Sequence, residues 1–192
     1  DDDEMRAQFG SISGGSALKF GIYQAAETGH WIAGTSAKQR RLDLDEAIAI
    51  ARSQRDQLVA CARVLHGLPS DVTAIDYEAL QASLQGAAPD LAETSWGHKY
   101  LALLFPNVLP PIHGTGYQHH QLHKLLKVPA KGRYENARFF VGIARQLGIS
   151  LHDLATTLHQ RNGASYRYWR VGTTIGNKSE WERMRLGGFA AV

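Results

Sequence analysis

The residues best suited to chemistry are gathered in "HGTGYQHHQLH", residues 113–123. His119 and His123 stand four apart, so a helix would bring both imidazoles to one face at metal-ligand spacing. His113 or His120 would supply a third nitrogen, and the chemistry would be that of a His-ligated, metal-dependent enzyme. Two features weigh against it. No Asp or Glu lies between Pro106 and Arg133 to act as a base, and the metalloprotease pattern H-E-x-x-H is absent. His119 and His123 are therefore weak metal candidates, and no metal or other cofactor is expected.

Nucleophilic and nucleotide chemistry are as poorly supplied. The single cysteine, Cys61, falls in an Ala-rich helical stretch where a buried thiol packs as a small apolar group. One cysteine permits no internal disulfide, which fits a reducing cytoplasm. There is no G-x-S-x-G and no GxxxxGK[ST] phosphate loop. "GSISGG" has no lysine after it and reads as a linker. The basic half has no carboxylate pair resembling an acid/base couple, so the chain is not expected to be an enzyme in its own right.

Charge is more informative. Residues 1–95 hold 14 Asp and Glu against 8 Lys and Arg, a net of −6; residues 96–192 hold 4 against 13, a net of +9. A basic half suits a polyanion, because each cation that meets a phosphate releases a counterion. The alternative is that the two halves neutralise one another across an interface. In "KVPAKGRYENAR" and just before it, Lys124, Lys127, Lys131, Arg133 and Arg138 are candidate phosphate contacts, joined further along by Arg161, Arg167 and Arg170. A solvated connecting loop is the plainer account of the same lysines.

These residues need elements to position them. "SALKFGIYQAA" and "TGHWIAGTSA" predict a β-hairpin, with Leu18, Phe20 and Ile22 alternating and Glu27-Thr28-Gly29 as the turn. Residues 43–66 predict a long helix capped by Asp43 or Asp45, with Ile48, Ala51, Arg55, Leu58, Val59, Ala62 and Leu65 on one face and Gly67 and Pro69 closing it. Shorter helices follow in "DYEALQASLQGA", from about Ser95 to Phe105, and in "GYQHHQLHKLLKV". Trp96, Tyr100, Leu101, Leu104 and Phe105 form a stripe expected to anchor the core. Ala137, Phe140, Val141, Ala144 and Leu147 mark another helix. Gly148 turns the chain and Ser150 caps the last helix, "LHDLATTLHQRNG". That pair is compatible with a helix-turn-helix whose second helix offers His152, Asp153, Thr156, Thr157, His159, Gln160 and Arg161, and equally with an ordinary helical hairpin. The expected class is α+β: a mainly helical domain with a small N-terminal β-hairpin and a C-terminal β segment. No apolar run approaches the ~18 residues of a membrane span.

Two stretches carry a family resemblance. "SWGHKYLALLFPNVLPPIH" with its following helical pair resembles the region upstream of the AAA+ module in McrB-like restriction ATPases. "YWRVGTTIGNKSEWERMRLGGFAAV" resembles the start of an EVE-like, PUA-type domain. Composition and periodicity give a flexible acidic tail over 1–16 and a hairpin plus helical domain over 17–163. The resemblance, which covers about residues 95–192 with a weaker echo in "LKFGIYQAAETGHWIAG" and the following helix, implies a truncated EVE-like β domain over 164–192 that continues past Val192 in a longer protein. It implies a DNA-recognition module of a modification-dependent restriction or defence system, with DNA, possibly modified duplex, and other subunits of a restriction complex as partners. Trp169 and Trp181 match the family's aromatic positions and become candidates for a modified-base pocket, where a flipped base would be stacked. The family's NTPase activity is not implied for this chain, which lacks the phosphate loop. Two rivals stand beside this reading: a protein-interaction or oligomerisation module without DNA binding, and the metal-dependent enzyme centred on the histidines.

Overall fold

The structure, a computed structural model, describes residues 21–25, 27–34, 39–163, 174–175, 178–179, 181–182 and 186. Three short strands open it: β1 (Ile22–Gln24), β2 (Trp31–Ala33) and β3 (Arg40–Leu42). They form one antiparallel sheet in that order, with Tyr23 opposite Ile32 and Trp31 opposite Leu42. The hairpin turn closes through Gly29, at φ 67. The hairpin thus acquires a third strand that its sequence did not announce, because "KQRRLD" lacks alternation. All three strands pack against the long helix that follows. Leu18 and Phe20, like the acidic tail, lie outside the described residues.

That helix, α1 (Leu44–His66), begins in a capping box: the Asp43 carboxylate accepts from the Glu46 N–H at 2.8 Å, and Glu46 accepts from the Asp43 N–H at 3.2 Å. Its buried edge differs from the expected one. Ala47, Cys61 and Leu65 are buried and Leu58 is partly so, while Ile48 and Val59 are exposed. The helix is rolled from the expected face, and Gln57 docks beside the buried edge on the turn at Asp90, donating to its carboxylate and accepting from its N–H. A hydropathy stripe has no means of anticipating such a polar anchor.

A 3-10 turn (Val72–Ala74) leads to α2 (Tyr77–Ala87) and then α3 (Ser95–Leu104). The expected stripe on α3 holds in part: Leu101 is in the core and Trp96 and Phe105 pack against it, but Tyr100 and Leu104 do not. Gly97, His98, Leu101 and Ala102 are buried, whereas Tyr100, Leu103 and Leu104 are exposed. Gly97 explains the orientation: a Cβ there would stand 2.5 Å from the Leu91 carbonyl oxygen, so only glycine lets this edge approach. α4 (Thr115–Lys124), α5 (Ala137–Leu147) and α6 (Leu151–Asn162) complete the helical region. Leu84, Leu101, Leu109, Leu122, Tyr134 and Phe140 lie at the centre of one core. Thr174–Ile175 and Lys178–Ser179 pair as an antiparallel β4–β5 ribbon. The class is α+β, mostly helical, and among the described residues no helix is long and apolar enough to cross a membrane.

Candidate nucleic-acid interface

The basic candidates divide sharply. Lys124 ends α4, and Lys127 and Lys131 lie in the connection to α5; all three are exposed, as is Arg161 in the last turn of α6. Arg138 is half-exposed, 3.4 Å from the Glu135 carboxylate and with its guanidinium 4.7 Å from the Phe139 ring. Arg133 is a correction. It is only 4% exposed and cannot reach a phosphate. Its guanidinium donates to the carbonyls of Thr94 (2.8 Å), His113 (3.0 Å) and Glu93 (2.7 Å) and to Thr115 Oγ1 (3.2 Å). Nε sits 3.5 Å from Glu93 Oε2, an ionic contact without hydrogen-bond geometry. Arg133 is an internal clamp joining the turn before α3, the start of α4 and the approach to α5.

Around this clamp lies a polar core. Gln81 accepts from the Tyr134 N–H at 2.8 Å and donates to Glu93 at 2.8 Å. Its carboxamide runs so close to Gly132 that a Cβ there would meet it at 2.5 Å. His98 Nδ1 and His113 Nδ1 are 3.0 Å apart. His98 Nε2 is buried with no hydrogen-bond partner among the described residues. A bare lone pair is tolerated there better than an orphaned N–H, which favours His98 as the Nδ1 donor and His113 as the acceptor. Burial drives the His98 pKa down to about 3, with the charges of His113 and Arg133 adding to the effect. Burial, Lys99 and Arg133 drive that of His113 down to about 4. Both rings are neutral at physiological pH.

The same frame pins the lysine-bearing connection. At its far end, the Ala130 N–H donates to Asn136 Oδ1 (2.8 Å), and Asn136 Nδ2 donates back to the Ala130 carbonyl (3.2 Å), which His119 Nε2 also reaches at 3.1 Å. At its near end, the Lys127 N–H returns to the Leu122 carbonyl at 2.9 Å. Leu126, between these anchors, was missed by sequence reasoning. It is 94% exposed and sits at φ 57. The available signal was a helix end spelled Lys-Leu-Leu-Lys with no glycine to turn it.

The histidines do not converge. His113 faces His98, His119 faces a backbone carbonyl, His120 stacks on Tyr117 at 6.1 Å between ring centroids, and His123 is exposed. Among the described residues no three His, Cys, Asp or Glu side chains are grouped to hold a metal ion. Cys61 is fully buried, and burial pushes its thiol up to about 11, so it is held as an unreactive thiol.

The helical pair is tied into the same region. Gly148 makes the turn at φ 65, and Ser150 caps α6 by accepting from the Asp153 N–H at 3.0 Å. Leu151, Leu154 and Leu158 are buried, leaving His152, Asp153, Thr156, Thr157, His159, Gln160 and Arg161 exposed. Tyr117 bridges α4 to α6: its hydroxyl lies 2.7 Å from His159 Nδ1 and donates to the Gly163 carbonyl at 3.3 Å. Asn162 donates to Gln121 at 2.7 Å. Of the remaining candidates, Arg167, Trp169 and Arg170 lie outside the described residues, and Trp181 is 52% exposed on a helical turn. No protein-family model matches the chain, and neither a curated protein nor a solved structure matches it.

Proposed function

We propose that the chain is a DNA-recognition or specificity module of a McrB-like, modification-dependent restriction or defence ATPase, working in the cytoplasm. It binds rather than catalyses. The observation that carries this reading is the net +9 of residues 96–192, together with the exposure of Lys124, Lys127, Lys131 and Arg161 around α4 and α6. Arg138 is a lesser contributor because Glu135 already engages it. The braced backbone spares the ordering of the chain itself, each lysine side chain still losing its rotamer freedom, and each phosphate contact contributes about 0.9 to the logarithmic salt slope.

The test is fluorescence anisotropy with labelled duplex, unmodified and cytosine-methylated, across a salt series. Binding that weakens steeply with salt supports the reading, and a preference for methylated duplex directs attention to Trp169 and Trp181. Binding that is absent or insensitive to salt removes it.

One observation favours a second reading, a protein-docking module. Tyr100, Leu103 and Leu104 form an exposed apolar edge on α3, at 43%, 72% and 50% exposure. A concentration-dependent rise in mass by analytical ultracentrifugation, without DNA affinity, would select it.

A further inference from the structure

Leu126 combines two unfavourable features in one residue. Its backbone lies in the left-handed region, at φ 57, where every other described residue of positive φ is a glycine. Its side chain is 94% exposed, and Val128 beside it is 85% exposed. The cause of the backbone conformation is the way α4 ends. The Lys127 N–H bonds to the Leu122 carbonyl (2.9 Å) and the Leu126 N–H to the His123 carbonyl (3.0 Å). These are the paired bonds of a Schellman ending, with Leu126 in the position that glycine favours. Such an ending usually adds an apolar contact from the next residue back to the helix, but that residue here is Lys127. The aliphatic tip is therefore held out, between the anchors at Leu122 and Ala130. Lys124, Lys127 and Lys131 bracket it, and no acidic residue occurs anywhere in 107–132.

We propose that Leu126 is an apolar wedge that enters a base step of duplex DNA while the flanking lysines hold the adjacent phosphates. This rests on the DNA-binding reading above and adds a mechanism to it. Single Leu, Ile, Phe or Met side chains act in this way, partly unstacking a step and kinking the duplex. A lipid surface fits less well, since interfacial binding needs a broad apolar face with aromatic anchors rather than one leucine and one valine.

The experiment uses the full chain, a duplex labelled for anisotropy over a potassium chloride series, and a duplex carrying 2-aminopurine, whose fluorescence rises on unstacking. The variants are Leu126→Gly, which suits the backbone and so keeps the fold, and the double variant Lys127→Gln/Lys131→Gln. Wild type is expected to bind with a salt slope and to raise 2-aminopurine fluorescence. Leu126→Gly should keep that slope, lose most of the fluorescence rise and bind about tenfold more weakly. The lysine variant should lose about 2 from the slope yet still unstack the base at saturation. If Leu126→Gly binds and unstacks as wild type does, the wedge is overturned and the DNA reading survives. If wild type shows no salt-dependent DNA binding, both fall. Binding of wild type, but not of Leu126→Gly, to phosphatidylserine vesicles in place of DNA would overturn the wedge in favour of a membrane contact.

Discussion

α4 and α5 end with the same hydrogen-bond pattern on contrasting residues. In α5 the Ile149 N–H returns to the Ala144 carbonyl and the Gly148 N–H to Arg145, with Gly148 at φ 65. In α4 the equivalent bonds come from Lys127 and Leu126, with Leu126 at φ 57. The backbones match, so the difference lies in what braces each ending. After Gly148 the chain passes directly into the Ser150 cap of α6. After Leu126 it runs to Ala130, fixed by Asn136 and His119, and on to the buried Arg133 clamp. A residue is held in an unfavourable conformation where the surrounding bonds over-determine its path. The α4 ending shows that condition, and the α5 ending has no need of it.

The largest expected effect comes from removing that brace. Arg133→Ala leaves the carbonyls of Glu93, Thr94 and His113 without their donor, and urea unfolding should show a loss of about 3–5 kcal/mol. A loss below about 1 kcal/mol would mean that the clamp does not hold the α4 ending in place. The next effect reads the same frame through pH. His98 and His113 have folded-state pKa values of about 3 and about 4, below the ordinary 6.5, so falling pH protonates the unfolded chain first. Their contribution is present above pH 6.5 and is lost as pH falls through about 4 for His113 and about 3 for His98. The fully buried His98 alone loses on the order of 3 kcal/mol by pH 4, and the more accessible His113 adds less. Thermal melts between pH 7 and 4 should show this decline, and His113→Gln should flatten it. An unchanged slope in the variant would place the titrating groups elsewhere.

The two smallest effects compare the endings directly, with opposite signs. Gly148→Ala puts a Cβ in the left-handed region and should cost about 1–2 kcal/mol, seen as a lower urea midpoint. Leu126→Gly relieves the same strain and should raise stability by about 1 kcal/mol or less, because glycine also adds entropy to the unfolded chain. A more stable Leu126→Gly protein that binds DNA more weakly would show that the α4 ending is kept for binding at the expense of stability. A destabilised Leu126→Gly would show instead that the leucine packs.

How much of this was legible in the sequence varies by region. The ends of the helices were accessible, since Asp43, Gly67, Gly148 and Ser150 act within a few residues of themselves through caps and turns. The core face of α5 was also accessible at Ala137, Phe140, Val141 and Ala144, although Leu147, in its last turn, is exposed. The faces of α1 and α3 were accessible only in part, at Leu58 and Leu65 and at Trp96, Leu101 and Phe105. On α1 the anchor is a glutamine that meets a loop 33 positions away. On α3 a histidine and a glycine are buried while a tyrosine and two leucines face outward. Hydropathy places apolar residues inward and cannot register a buried polar pair.

The candidate site divides in the same way. Sequence by itself determined most helical boundaries (α4, expected through Val128 but ending at Lys124, is the exception), the α+β class and the basic character of the second half, because caps, periodicity and charge are local or additive properties. Only the tertiary structure decided which cations face solvent. Arg133 and Lys131 are two residues apart, yet one is buried and the other exposed. Carbonyls from Glu93, Thr94 and His113, distant in the chain, happen to converge where a planar guanidinium with several donors can satisfy them together. Tertiary structure also decided that Leu126 projects, since its exposure follows from bonds made by Leu122, His123 and Asn136 rather than from its own type.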